Sequence, residues 1–189
     1  MSPTIPQAVV GCTISFSYIL LGESPAARGW TRLTGSGNAI TQSWMGVPAL
    51  LVDFPPPSSP EHAARAQHLG RQWPTFWAVG NRFFRPISTL GIVGYGYTAW
   101  AAAQGRGAVR GDWRLFAVSA ACHLVTVLHS ALNMQPLNDK LDALSDPKSG
   151  RADAAQAEEY ARTWIRRNSL RIAMPLVAGT IALFQALGG

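Results

Sequence analysis

Three windows of this 189-residue chain, Pro86–Gln104, Leu115–Met134 and Ile172–Gly189, contain no Lys, Arg, Asp or Glu, while charge crowds the segments between them. Each window is about long enough to cross a bilayer core of ~30 Å as a helix rising 1.5 Å per residue. Apolar residues make up 48% of the sequence and charged residues only 14%, a balance unusual for a water-soluble domain of this size. The pattern predicts one all-α integral membrane domain over residues 1–189, with polar loops lowering the average hydropathy.

The first window predicts a span over 87–104, because Pro86 suits a helix start. Its Gly91, Gly94 and Gly96 are in the wrong order for a nucleotide-binding glycine loop, and no strand is predicted before them. Small residues that let helices approach closely in lipid account for them better. A short turn leads to the second arm of a helical hairpin over 113–134, which Pro136 is expected to end. Residues 154–167 read as an amphipathic, solvent-facing helix with Glu158 and Arg162 four apart on one face, feeding a last span over 172–188.

The amino-terminal third offers two apolar pieces, 7–22 and 39–52, each short of the ~20 residues a transmembrane helix needs. Setting residues 14–34 aside joins 7–13 to 35–52 in one predominantly apolar stretch of 25, so 14–34 reads as an insertion in the first of four spans. No Lys or Arg precedes Arg28, so the charged start of a secretory signal is missing and membrane entry is expected to use the spans themselves. The loops 53–85 and 138–171 hold eleven Lys or Arg against five elsewhere, which orients that side to the cytoplasm. Trp73, Trp77, Trp100, Trp113 and Trp164 flank the spans, where an interfacial belt needs aromatic rings.

The net charge of +6 is spread over several loops and broken by acids, which favours lipid headgroups over nucleic acid as its counter-charge. Cys12 and Cys122 define neither a disulfide framework nor a metal site. His62 and His68, and again His123 and His129, are six apart, on opposite sides of a helix, unlike the four-apart pair that shares a metal. No nucleophile elbow, phosphate loop, haem-binding Cys pair or flavin fingerprint is present, so an enzyme of this sequence is expected to work without a tightly bound cofactor. Two polar signatures at the edges of apolar runs stand out, Pro136-x-Asn138-x-x-Leu141 and Trp164-x-x-x-Asn168-x-x-Arg171. Polar groups are costly in a membrane bundle and usually have a task. Trp164, Asn168 and Arg171 fall at i, i+4 and i+7, on one helix face.

Taken with Gly37-Asn38, Ser43 and the run 46–51, and with Gln72-Trp73, Gly80 and Pro86, these signatures resemble the anthrone oxygenase family of small four-helix membrane proteins, over residues 35–186. The chain departs from the family pattern at Trp77, where Tyr is frequent, and at Leu128-His129-Ser130, where many members have Pro, an aromatic and Thr. The resemblance implies a four-transmembrane-helix bundle with an extra amphipathic helix in the third loop. It also implies cofactor-independent oxidation of an anthrone to an anthraquinone by molecular oxygen, as a tailoring step in fungal aromatic polyketide biosynthesis. The lipid bilayer, the anthrone and the enzymes of the pathway are the partners it implies, and the endoplasmic reticulum or a derived vesicle the location.

Such chemistry needs a base, a donor for the forming oxyanion and a flat apolar pocket. On this resemblance His129 is the leading base with His123 behind it, Arg171 faces the oxyanion and Asn138 orients the substrate. Trp164, Asn168, Gln72, Trp73, Asn38 and His123 are the expected substrate contacts. The alternative is a non-enzymatic membrane scaffold or binding protein for a pathway intermediate or a partner enzyme.

Overall fold

The computed structural model of the protein describes residues 42–105, 111–148 and 151–187, and among them it contains helices and turns but no strand. Asn38, the apolar piece 7–22 and the insertion 14–34 lie outside the described residues. A π-helical turn, Gln42–Gly46, leads into the short α1 (Val47–Leu50). Then come α2 (His62–Ala103), α3 (Trp113–His129), a π-helical segment (Ser130–Met134), α4 (Gln135–Ala143), α5 (Arg151–Ala155) and α6 (Ala157–Leu187).

Three boundaries differ from those expected of the sequence. Pro86 does not start a helix: it lies with Pro74 inside α2, which is 42 residues long and occupies most of the expected loop 53–85. An interior proline removes one hydrogen bond and crowds the carbonyl four residues back, at about 3 kcal/mol. A helix survives that when packing carries it, and α2 is committed upstream by His62, Ala66, Leu69 and Trp73, buried at spacings of four, three and four. Pro136 likewise does not end its helix, but sits in the first turn of α4, directly after the π segment. In the first turn of a helix the fixed φ and missing N–H of proline are tolerated. Finally, residues 154–167 are not a separate amphipathic helix: α6 runs from Ala157 through Pro175 to Leu187.

The reason for that continuity is a single seam. Ala157, Ala161, Trp164, Asn168, Arg171, Pro175, Ala178 and Ala182, spaced by four or three, are all buried along α6. This is the spacing that keeps one helix face against its neighbours over many turns. Trp164, Asn168 and Arg171 do share a face, as the sequence spacing indicated, and that face is the buried one.

Two compact units divide the chain. Among the described residues, the first holds Phe83–His129 and those from Leu170 on; the second holds those up to Arg82 together with Ser130–Ser169. The second unit has a core of large side chains, among them Leu69, Trp73, Met134, Leu141, Leu144 and Trp164. The first has a core of Tyr95, Phe116, Cys122 and three alanines, Ala99, Ala178 and Ala182. Most of its other large apolar side chains point outward: Leu90, Val93, Tyr97, Val118, Leu124 and Phe184 are all exposed.

Among the described residues one helical stretch, Trp113–Ala143, is long and apolar enough to cross a membrane, and only 28% of its most apolar window is buried. The core helix of a water-soluble protein would be mostly covered. Residues 87–103 and 172–187 of the expected spans 87–104 and 172–188 fall on helix, in the later parts of α2 and α6.

Candidate functional site

In the second unit, Asn138 of α4 sits between two tryptophans. Its Oδ1 accepts hydrogen bonds from the Trp73 indole of α2 at 3.2 Å and from the Trp164 indole of α6 at 2.9 Å. The two indoles meet edge to face, with centroids 5.4 Å apart and planes at 90°. Both rings are fully buried and Asn138 is nearly so. An indole N–H only donates, so the pair fixes the amide with its oxygen toward the rings. Each of these bonds contributes about 1 kcal/mol net, and leaving a buried donor unmade costs about 1–3 kcal/mol. Neither tryptophan stands at an interface as an exposed anchor; both are core.

Local backbone explains why Asn138 reaches this position. The π segment adds a residue to the turn before Pro136 and so rotates α4, bringing Leu137, Asn138 and Leu141 to the buried side. One carbonyl of that segment, Asn133 O, accepts from Arg167 Nη1 at 2.9 Å. Nearby in the same unit Asn168 Nδ2 donates to Ser43 Oγ at 2.7 Å, and Gln42 Nε2 donates to the Phe76 carbonyl at 3.1 Å. Gln42, Ser43 and Asn168 are all buried, so a polar layer runs beside the Trp73–Trp164 pair.

Gln72 lies apart from this cluster. Its amide nitrogen is 3.0 Å from His68 Nε2, one turn back on α2, and its Oε1 is buried with no hydrogen-bond partner. The other histidine of that pair, His62, is bracketed by the Pro55 and Ala154 carbonyls at 2.6 and 2.7 Å and touches the Phe54 ring edge-on. It ties the turn before α2 to the end of α5.

The first unit presents a different cluster. His123 of α3 is wholly buried and stacks on Tyr95 of α2, with centroids 5.7 Å apart and planes at 27°. One turn before Tyr95, Gly91 lies so close that a Cβ there would come within 2.7 Å of three atoms of the imidazole ring. One turn from His123 on the amino-terminal side, Ser119 Oγ donates to its own Leu115 carbonyl at 3.1 Å and across to the Ala178 carbonyl of α6 at 3.2 Å. Arg171 belongs to this unit and is buried, while His129, at the end of α3, is half-buried.

Apart from Gln72, and from Asn38 outside the described residues, the expected site residues thus separate into two groups. Trp73, Asn138 and Trp164 are bonded to one another, with Asn168 in the polar layer beside them; His123, His129 and Arg171 belong to the other unit. Sequence reading missed the parts played by Gln42, Ser43, Gly91 and Tyr95. Gly91 was legible as a close-approach residue, but nothing in the sequence says that what approaches is an imidazole. Among the described residues no group of three or more His, Cys, Asp or Glu is placed to hold a metal ion.

Buried polar side chains in helical seams, a spanning-length helix left mostly uncovered and an apolar exterior on one unit define a helical membrane protein. A family model described as anthrone oxygenase matches residues 73–181, more than half of the chain, and the chain belongs to the anthrone oxygenase family. The matched stretch contains Trp73, His123, His129, Asn138, Trp164, Asn168 and Arg171, and begins after Asn38 and Gln72. No curated protein and no solved structure matches the chain.

Proposed function

We propose that this protein is a multi-pass membrane oxygenase that converts an anthrone to an anthraquinone with molecular oxygen, as a step in aromatic polyketide biosynthesis. The observation that carries the reading is the family match over residues 73–181, which includes both the buried imidazole and the buried guanidinium of the first unit. A four-span bundle in the endoplasmic reticulum or a derived vesicle, near the enzymes that make the anthrone, is part of the same proposal. No bound cofactor is invoked, because the substrate supplies the reducing electrons.

The chemistry balances: one methylene and one dioxygen become one carbonyl and one water. The methylene of an anthrone lies between two aryl rings and is activated through them by the carbonyl, so a neutral imidazole can take one of its protons. The resulting anthrolate passes one electron to oxygen, and the radical and superoxide combine at carbon. The imidazolium returns its proton to the peroxide oxygen. Loss of the second C–H proton as the O–O bond breaks then leaves the new carbonyl, and hydroxide departs with that proton as water. Arg171 is the cation for the oxyanion that forms in the first step, and its burial away from bulk water strengthens such an interaction.

Microsomes carrying the protein, supplied with an anthrone and oxygen in the presence of a chelator, test the proposal. Quinone formation faster than in empty microsomes and unaffected by the chelator is expected. A rate equal to that of empty microsomes would leave the scaffold or binding protein as the better reading.

A further inference from the structure

From the packing around α3 we infer that His123, not His129, is the base for the first proton transfer, and that Gly91 and Tyr95 are positioning residues that hold its ring. The inference rests on the anthrone-oxidation reading. Its starting point is a double cost at one place in the first unit. A polar ring is buried completely in a unit whose core is Tyr95, Phe116, Cys122 and alanines, with Ser88, Ser119, Thr126 and Arg171 as its other buried polar side chains. A glycine interrupts the interior of α2 to admit it, where glycine destabilises a helix by roughly 1 kcal/mol relative to alanine. Ala178 and Ala182 fill equivalent seam positions on α6 with neither expense. A residue kept only to fill space at position 123 would pack better as a small apolar side chain opposite an alanine at position 91.

Geometry supplies the second part. Gly91 and Tyr95 are four apart on α2 and so on one face. A Cβ at Gly91 would lie 2.7 Å from Cγ, Cδ2 and Cε1 of the imidazole alike, which means that the ring lies flat over the Gly91 backbone. Tyr95 then stacks nearly parallel to it at 5.7 Å. Held by its face in this way, the imidazole cannot tumble about its Cβ–Cγ bond, and its two nitrogens keep fixed directions in the plane. A base that must meet one methylene C–H gains from such fixed aim. His129 is half-buried and sits at the last position of α3, where the helix passes into the π segment.

The shape of the frame also provides the test. Removing the ring in His123→Ala leaves an imidazole-sized vacancy over the Gly91 backbone and beside the Tyr95 ring, and free imidazole added to the medium can enter it. Turnover per molecule of extracted protein, with abundance measured separately, is expected to fall by about 10²–10⁴-fold in His123→Ala. Millimolar imidazole should recover at least tenfold of that loss. In the double variant His123→Ala/Gly91→Ala, the new methyl occupies the vacancy, so recovery should vanish although the abundance of the double variant matches that of the single one. Gly91→Ala alone should lower kcat with little change in KM, since it displaces the base without touching the substrate.

Wild-type turnover in His123→Ala at equal abundance overturns the assignment of the base while leaving the oxygenase reading standing. So does a His129→Gln variant that falls to the floor while His123→Gln keeps its rate. Imidazole recovery that is absent with Gly91 intact, or that survives Gly91→Ala, overturns the frame. If the wild-type protein itself does nothing to an anthrone, the oxygenase reading has failed, and that outcome is read before any variant is made.

Discussion

The two units of this chain solve the packing problem in opposite ways. The second buries large side chains, Trp73, Trp164, Met134, Leu69, Leu141 and Leu144, and exposes Arg71, Asp139, Lys140 and Arg166 together with Trp44, Met45, Val52 and Leu132. The first buries alanines, Ser119 and His123 and exposes Leu90, Val93, Leu124, Leu128 and Phe184. In water the driving force is removal of apolar surface, about 25 cal/mol per Å2, so large side chains go inside. In lipid that force is absent between helices, and close approach through small residues with a few interhelical hydrogen bonds takes its place. The contrast teaches that the two units are held in different ways: large apolar volume fills one core and small-residue contact the other.

The most damaging single change should strike the second unit, where polar groups are buried in a large apolar core. Asn138→Leu leaves the indole N–H groups of Trp73 and Trp164 without their shared acceptor, and two buried orphans cost roughly 4 kcal/mol together. Protein yield and thermal unfolding in detergent are the readouts, and a variant as stable as wild type would show that the two bonds do not hold the unit together. Next in size is a probe of the first unit's exterior. Val93→Lys, at a position 63% exposed, should cost roughly 3 kcal/mol if that surface meets hydrocarbon, with a matching loss of membrane-integrated protein. If the surface meets water the change should fall within about 0.5 kcal/mol, and the contrast between the units would collapse.

Smaller effects sharpen the comparison. Ser119→Ala removes a hydrogen bond that joins α3 to α6 in the first unit and should cost about 0.6 kcal/mol, the typical value for such bonds between membrane helices. A cost of several kcal/mol, read by thermal unfolding in detergent, would mean that polar contacts rather than small-residue packing hold this unit. Smallest of all is Arg162→Ala. The Arg162–Glu158 pair at 2.6 Å is solvent-exposed on its arginine side, so its loss should shift stability by no more than about 0.5 kcal/mol and less at high salt. A larger, salt-insensitive shift would mean that this side of α6 is not facing water.

Much of this was legible in the chain. The charge-free windows marked helices, and the signature residues of the family carried its membership. The spacing of Trp164, Asn168 and Arg171 revealed their common face, because a helix fixes side-chain direction locally. What could not be read depends on partners distant in sequence. Trp73 looked like an interfacial anchor until Asn138, 65 residues away, supplied its acceptor. Asn168 likewise needs Ser43, 125 residues distant. The prolines misled in two ways: Pro86 disfavours a continuous helix by local rules and yet α2 runs through it, while Pro136 falls in the first turn of α4, where a proline is tolerated.

The π segment at Ser130–Met134 carries a consequence for how relatives of this chain should be aligned. A π turn takes up about one residue more than an α turn, so a relative one residue shorter that forms a plain α turn here keeps every later side chain on the same face. Its counterparts of Asn138, Leu141 and Leu144 stay on the buried side, each one position earlier in its own count. A single-residue gap placed in this stretch is therefore compatible with the same two tryptophans, whereas loss of the π turn with no residue lost would swing the later side chains by about 100° and move Lys140 and Ala143 into the places of Leu141 and Leu144.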